Sequence, residues 1–121
     1  MKKIVLVADD SPTIRKFVSF TLSAMGFKII SAIDGMEALE KLPSEKVDLI
    51  ITDLNMPNID GFEFIRTVRS NEDYKDIPII ILSSLGAESD INQGLNCGAN
   101  SYLIKPFDPN TIAYEVSKYL N

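Results

Sequence analysis

The chain has 121 residues, of which 17 are acidic and 12 are basic, so its formal net charge is −5. This length suits one domain of ordinary size, expected to span residues 1–121. The negative balance repels a phosphate backbone and disfavours nucleic-acid binding. There is no histidine and only one cysteine, Cys97, which excludes serine-histidine and cysteine-histidine pairs, histidine zinc sites and an internal disulfide. Any chemistry must therefore use carboxylates, hydroxyls, lysine and a bound ion.

The two ends of the chain bear on location and domain organisation. Met1-Lys2-Lys3 leads into an apolar run that is too short for a signal peptide or a membrane span. We therefore expect a cytoplasmic protein with no membrane contact. The last predicted helix also ends the chain, so we expect no attached output domain.

Five short apolar runs predict the strands of a sheet. The first, residues 4–8, is apolar throughout, which indicates burial on both faces. Runs of the same character follow at residues 29–32, 49–52, 79–82 and 101–104. Burial on both faces is typical of a parallel sheet that is covered by helices.

Segments with helical periodicity separate these runs. Ser11-Pro12 is an N-cap followed by proline in the first turn, and Gly26 ends this first helix. Its apolar stripe comprises Ile14, Phe17, Val18, Leu22 and Met25. The other helices open at Asp34-Gly35, at Asp60-Gly61, near residue 87 and at Asp108-Pro109; the second stops before Pro43 and the fourth closes at Gly98.

Five strand-helix units in succession predict an α/β fold with a doubly wound, five-stranded parallel sheet and five helices. In the flavodoxin-like strand order 2-1-3-4-5, the order reverses between strands one and three. Ligands of such sheets bind outside the carboxyl ends of the strands at this reversal.

Polar side chains follow four of the five predicted strands. Asp9 and Asp10 follow strand one, Asp53 follows strand three, Ser83 follows strand four and Lys105 follows strand five. Two like charges about 5 Å apart repel by roughly 3 kcal/mol at an effective dielectric constant of about 20. The three carboxylates therefore need counter-charges, for which we expect Lys105 and a divalent cation.

Magnesium fits this predicted pocket better than calcium, because its usual shell is one or two carboxylates with water and phosphate. The backbone carbonyl of Asn55 could add a ligand. With the cation bound, Asp53 is a plausible nucleophile toward phosphorus, giving an aspartyl phosphate. Ser83 could bond a phosphoryl oxygen, and the small Ser84 leaves room for a phosphodonor or water.

In these features the chain resembles the response-regulator receiver domains of the stand-alone, CheY-like kind. The resemblance covers essentially the whole length and rests on motifs that occur in the expected order. They are Asp9-Asp10, Asp53-Leu54-Asn55-Met56-Pro57, Asp60-Gly61, Ser83, Tyr102 and Lys105-Pro106-Phe107.

The resemblance implies a role for each matching position. Asp53 would accept a phosphoryl group from a phosphohistidine of a sensor histidine kinase, while Asp9 and Asp10 hold Mg²⁺, for which Mn²⁺ could substitute. Ser83 would be the switch hydroxyl, and Tyr102 the aromatic residue that turns inward when Ser83 moves. Lys105 would contact the phosphoryl group, and the peptide bond before Pro106 would be cis.

The resemblance also implies a phosphorylation-controlled signalling switch rather than an enzyme. Helix four, strand five and helix five would form the face that binds a protein target, for which the flagellar motor switch is one candidate. We expect a monomer or a weak, phosphorylation-dependent dimer. The alternative is a phosphorelay intermediate or phosphate sink that passes its phosphoryl group to a histidine phosphotransfer protein.

Two other classes fit the residues poorly. Phosphatases with an aspartate nucleophile resemble a pattern of two acids separated by one residue after strand one, whereas here Asp9 and Asp10 are adjacent. A flavin carrier of similar topology needs small hydroxyl residues at that point, where these two acids would repel the phosphate of the cofactor.

Overall fold

A computed structural model describes residues 2–105 and 108–120 of the chain. The described strands are β1 (Ile4–Ala8), β2 (Lys28–Ala32), β3 (Leu49–Thr52), β4 (Ile79–Ser83) and β5 (Ser101–Ile104). The helices are α1 (Pro12–Ala24), α2 (Gly35–Lys41), α3 (Gly61–Ser70), α4 (Glu88–Cys97) and α5 (Pro109–Tyr119). The predicted alternation of strands and helices is confirmed.

The five strands form one parallel sheet in the order β2-β1-β3-β4-β5, as predicted. At the carboxyl end of β1, Ala8 lies opposite Ala32 on one side and Thr52 on the other. The residues that follow these strands therefore emerge side by side. At the far edge, Ser83 pairs in register with Ile104, so Lys105 emerges beside the end of β4.

Alternate residues of each strand enter two separate cores. On one face, strand residues such as Leu6 and Ile81 pack in a buried cluster with Phe64 and Val68 of α3. On the other face, Val7, Ile51 and Ile80 pack with α1 and α5. This arrangement explains why the strand sequences are continuously apolar rather than alternating.

Aspartates cap three of the helices, as predicted. Asp34, Asp60 and Asp108 each accept a hydrogen bond from the backbone N–H three residues further on, at 2.8–2.9 Å. Such a cap satisfies one of the N–H groups that the first helical turn leaves unpaired. By contrast, α4 begins after Ala87, which has no side-chain cap.

One detail of the predicted helices is wrong. Met25 is the C-cap residue of α1 and is 39% exposed, so it does not belong to the buried stripe. The second helix stops before Pro43, as predicted, because α2 ends at Lys41. A short 3₁₀ turn (Leu42–Ser44) follows it, in which Leu42 is buried. Proline fits there because its missing N–H is not needed at the start of such a turn.

None of the helices in the described ranges is long and apolar enough to cross a bilayer. The predicted cis bond before Pro106 and the packing of Phe107 lie outside the described residues.

Candidate functional site

Three carboxylates converge at the carboxyl edge of the sheet. Asp9 and Asp10 follow β1, and Asp53 follows β3 at the point where the strand order reverses. Backbone bonds from the N–H of Asp9 to Ala32 and from the N–H of Asp53 to Ala8 extend the strand pairing to this edge. One carboxylate oxygen of each aspartate lies within 4.8 Å of the other two. The predicted acidic pocket is thus present.

Lys105 supplies positive charge to this pocket. Its Nζ lies 3.2 Å from Oδ2 of Asp9 and 3.5 Å from Oδ2 of Asp53. The backbone N–H of Lys105 donates to the carbonyl of Ser83, so the β4–β5 pairing determines where the side chain begins. One ammonium against three carboxylates leaves the pocket with a net negative charge.

The two inner carboxylates are held in place by neighbouring backbone groups. Oδ1 of Asp9 accepts from the N–H of Ser11 at 2.9 Å, and Oδ1 of Asp53 accepts from the N–H of Leu54 at 2.8 Å. Each therefore directs its second oxygen, Oδ2, toward Lys105. Both side chains are almost fully buried, whereas Asp10 is exposed.

Burial raises the pKa of Asp53, and the nearby charge of Asp9 raises it further. Lys105 and the N–H of Leu54 act in the opposite direction, but they do not restore the ordinary value. Desolvation and like charge both disfavour the ionised carboxylate. The pocket therefore has more negative than positive charge, and its all-oxygen donor set matches the ligands that Mg²⁺ prefers.

The loop after β3 is packed tightly against the start of α3. A Cβ atom at Gly61 would overlap the backbone carbonyl of Asp53 and Cα of Leu54. The N–H of Gly61 donates to the carbonyl of Leu54 at 2.9 Å. Sequence reasoning assigned Asp60-Gly61 to a helix start and missed this contact, which fixes the backbone that carries Asp53.

Asn55 and Ser84 are placed near the pocket by their neighbours in the chain. Asn55 follows Asp53 by two residues in an exposed part of the loop, and Ser84 is exposed after Ser83 at the end of β4. The role of the Asn55 carbonyl as a metal ligand and that of Ser84 in phosphoryl access remain predictions.

Ser83 and Tyr102 bind the same residue, Leu85. The buried Oγ of Ser83 accepts from the N–H of Leu85 at 3.0 Å. Oη of Tyr102 donates to the carbonyl of Leu85 at 2.6 Å, while its ring packs against the core on the α3 side. A movement of either side chain is thus connected to the other through one backbone segment. Sequence reasoning missed this link because it uses backbone groups, which any residue could supply.

A flavodoxin-like sheet with three carboxylates and a lysine at its strand-order reversal is the arrangement expected of a receiver domain. The family model of the response regulator receiver domain matches residues 5–117. The chain therefore belongs to the response-regulator receiver family, and it is of the CheY-like kind.

Similar proteins cover almost the whole chain. The chemotaxis protein CheY1 of Helicobacter pylori is 38% identical over 110 residues, which are 89% of each chain. The crystallised chemotaxis protein CheY4 of Vibrio cholerae has a TM-score of 0.93 and 39% identity, covering 98% of this chain and 99% of the other.

The receiver domain of the sensor histidine kinase PA1611 from Pseudomonas aeruginosa has a TM-score of 0.91 and 25% identity, covering 99% of this chain and 98% of the other. Its active-site cleft coordinates a magnesium ion.

Proposed function

We propose that this domain is a phosphorylation-controlled switch in which Asp53 accepts a phosphoryl group from a phosphohistidine of a sensor histidine kinase, in the cytoplasm. The observation that carries the proposal is the position of the Asp53 carboxylate. It lies among Asp9, Asp10 and Lys105 at the strand-order reversal. The chain has no histidine of its own, so the donor belongs to another protein.

We assign the metal site to Asp9, Asp10, Asp53 and the backbone carbonyl of Asn55, with Mg²⁺ as the ion and Mn²⁺ as a substitute. The all-oxygen donor set and the raised pKa of Asp53 support this assignment, as does the magnesium ion of the PA1611 relative. When bound, the ion would offset negative charge on the carboxylates and on the transferring phosphoryl oxygens.

The side chains of the pocket have separate tasks in the transfer. A carboxylate oxygen of Asp53 forms the new bond to phosphorus as the bond from phosphorus to the histidine nitrogen breaks, and the electron pair returns to the imidazole. Lys105, which already contacts Asp53, places its ammonium beside the arriving phosphoryl group. The exposed Ser84 leaves that side open to the donor. Each chain accepts one group, so the reaction is stoichiometric rather than enzymatic.

The effect of phosphorylation at Asp53 would be transmitted to the surface through Ser83. Its Oγ accepts from the N–H of Leu85, so its own O–H can donate to a phosphoryl oxygen. Movement of Ser83 toward that oxygen alters the position of Leu85 and therefore of Tyr102, which bonds the Leu85 carbonyl. Changing a population from mostly off to mostly on requires about 5.5 kcal/mol of differential stabilisation.

We assign target binding to the face formed by α4, β5 and α5, where Leu95, Ile104 and Tyr114 are exposed. The chemotaxis proteins of Helicobacter pylori and Vibrio cholerae, which are similar over nearly their full length, support a role in chemotaxis. We propose the flagellar motor switch as the target. The domain would act as a monomer or as a weak dimer after phosphorylation.

A second candidate is a phosphorelay intermediate that passes its phosphoryl group to a histidine phosphotransfer protein. The observation that favours it is the PA1611 relative, a receiver domain of almost the same fold that belongs to a sensor histidine kinase. Transfer of labelled phosphate from the phosphorylated domain to such a protein would support this candidate over the switch.

The decisive experiment is incubation with acetyl phosphate and Mg²⁺, followed by intact-mass analysis and peptide mapping. We expect the mass gain of one phosphoryl group at Asp53, with no gain in Asp53→Asn or in the presence of a chelator. Asp73→Asn, which changes an exposed aspartate outside the pocket, is the matched control and should behave as the wild type. Absence of modification in the wild type, or equal modification of Asp53→Asn, would refute the proposal.

A further inference from the structure

The backbone of α4 at Gly94 lies directly against the ring of Tyr102. A Cβ atom at position 94 would come within 2.6 Å of Cδ1 of Ile81 and within 3.2–3.3 Å of Cδ2 and Cε2 of Tyr102. Real Cβ atoms are rarely this close to a neighbour. The absence of a side chain at Gly94 therefore makes room for the ring in its present position.

No feature of the α4 backbone explains this glycine. The glycines with positive φ in the described chain are Gly26 and Gly98, whereas Gly94 lies within a regular helix. Glycine in a helix interior is less favourable than alanine. Moreover, the N-cap residue of α4, Ala87, provides no side-chain cap that could offset this loss. The space that Gly94 leaves is the remaining physical reason.

Of the two neighbours, Tyr102 is the one that can move away. Ile81 is fully buried in β4, which is paired on both sides within the sheet. Tyr102 lies on the edge strand β5 and is only partly buried, and its Oη bonds the Leu85 carbonyl. A methyl group at position 94 would therefore press on the ring, which would have to shift by a few tenths of an ångström, and would weaken that bond.

We propose that Gly94 is a positioning residue that leaves room for Tyr102 in its inward position. It would thereby set the ratio of inward to outward Tyr102 in the unphosphorylated protein. In this structure Tyr102 occupies the inward position. The consequence for signalling rests on the proposed function, because the ratio of inward to outward Tyr102 affects signalling only if the domain is a phosphorylation switch. The effect of Gly94 on the ring, however, can be measured without phosphorylation.

Fluorine NMR of 3-fluorotyrosine-labelled protein tests the proposal, since the chain has four tyrosines and Tyr102→Phe identifies the Tyr102 signal. The response of that signal to replacement of H₂O by D₂O reports solvent exposure of the ring. In metal-free, unmodified protein we expect Gly94→Ala to lower the ratio of inward to outward Tyr102 by about tenfold. The same signal in Gly94→Ala as in the wild type would overturn the proposal.

Two further variants separate steric exclusion from helix stability. Asn92→Ala adds an alanine at an exposed site of α4 and should leave Tyr102 inward; an equal outward shift in this variant would overturn the proposal. Ile81→Val removes the nearest atom and, combined with Gly94→Ala, should return Tyr102 toward the wild-type position. No return would overturn the steric explanation, and this double variant also carries the test if Gly94→Ala alone fails to fold.

Beryllofluoride and Mg²⁺ then distinguish the two proposals. Gly94 does not belong to the acidic pocket, so we expect Gly94→Ala to bind beryllofluoride at Asp53 as the wild type does and to regain inward Tyr102. If beryllofluoride binds to neither protein, the proposed function fails while the metal-free result for Gly94 still stands. If it binds to both but Tyr102 was unchanged by Gly94→Ala, only the inference about Gly94 fails.

Discussion

The side-chain amide of Asn58 donates a hydrogen bond of 2.8 Å to Oδ2 of Asp34, which fastens the loop after β3 to the start of α2. Asn58 has a φ of 71°, a left-handed conformation that asparagine tolerates better than most residues. Asp34 meanwhile caps α2 through its other oxygen. Asp34 thus caps α2 and also binds the loop that leads from Asp53 to α3.

This pairing predicts distinct effects for two substitutions of Asn58. Asn58→Gly keeps the left-handed backbone but loses the amide, and we expect the unfolding temperature to fall by a few degrees. Asn58→Asp places a second carboxylate beside Asp34, so we expect a larger fall at pH 7. Thermal unfolding between pH 3 and pH 7 measures both.

The pH dependence follows from the lowered pKa of Asp34, which results first from the N–H of Glu37 and next from the amide of Asn58. A lowered folded-state pKa gives stability that is present above the ordinary value of 3.8 and is lost as pH falls through the folded value. The wild type should therefore lose this advantage over Asn58→Gly in acid. Equal unfolding temperatures of wild type and both variants at pH 7 would contradict the pairing.

Asp53→Asn should make the metal-free protein more stable at neutral pH. Burial, and then the charge of Asp9, raise the pKa of Asp53, so the folded state binds its proton more tightly than the unfolded state does. The free energy of unfolding must then fall as pH rises from about 3.8 through the folded value. We expect Asp53→Asn to have the higher free energy of unfolding at pH 7, and the difference to disappear in acid. Urea denaturation in a chelating buffer measures it.

Addition of Mg²⁺ is a complementary test of whether the acidic pocket carries excess negative charge. It should stabilise the wild type more than Asp53→Asn, because the variant offers one carboxylate fewer. Asp73→Asn, which makes the same change in net charge at an exposed turn, controls for general electrostatics. A lower stability of Asp53→Asn in chelator at pH 7 would show that Lys105 already compensates the pocket.

Lys105→Met should have opposite effects on two properties of the pocket. The ammonium contacts both Asp9 and Asp53, so its removal leaves two buried carboxylates unpaired and should cost about 2 kcal/mol of stability without metal. The same removal takes away a competing positive charge, and we expect Mg²⁺ to bind more tightly. Phosphorylation by acetyl phosphate should nevertheless become slower.

Titration calorimetry with Mg²⁺ and the rate of acetyl phosphate modification measure these effects. Lys105→Arg keeps the charge and should change the magnesium affinity less than Lys105→Met does. Weaker Mg²⁺ binding by Lys105→Met would instead mean that Lys105 organises the carboxylates rather than competing with the ion.

The sequence predicts those parts of the fold that depend on side-chain type. The apolar run from Ile4 to Ala8 indicates a strand buried on both faces, and burial is observed from Val5 to Ala8. The acids and Lys105 could be placed together because the carboxyl ends of parallel strands share one edge. Resemblance to a known family, rather than periodicity, supplied the strand order.

Contacts that use backbone groups or empty space escaped prediction. The connection through Leu85 depends on its backbone N–H and carbonyl. The close packing at Gly61 and Gly94 is possible because glycine has no Cβ atom. The exposure of Met25 was also missed, because helical spacing does not show how far neighbouring elements cover the end of a helix.

Arg69 is a further connection that no sequence pattern indicated. Its Nε donates to the carbonyl of Gly98 at 2.9 Å, and its Nη1 donates to the carbonyl of Ile77 at 2.7 Å. Its Nη2 donates to Oδ1 of Asn100, which also accepts from the N–H of Ile79. The guanidinium thus joins the end of α3 to the loop after α4 and to the start of β4.

Arg69→Lys should therefore be nearly as damaging as Arg69→Met, although it keeps the charge. An ammonium cannot reproduce the planar, multiple donation of a guanidinium, so we expect both variants to lose about 2 kcal/mol in urea denaturation. The amides of Ile79 and Gly98 should also exchange faster with solvent. Arg66→Lys, at an exposed position on the same helix, is the control and should change stability little. Full stability of Arg69→Lys would mean that charge alone, rather than the shape of the donor, holds the end of α4 in place.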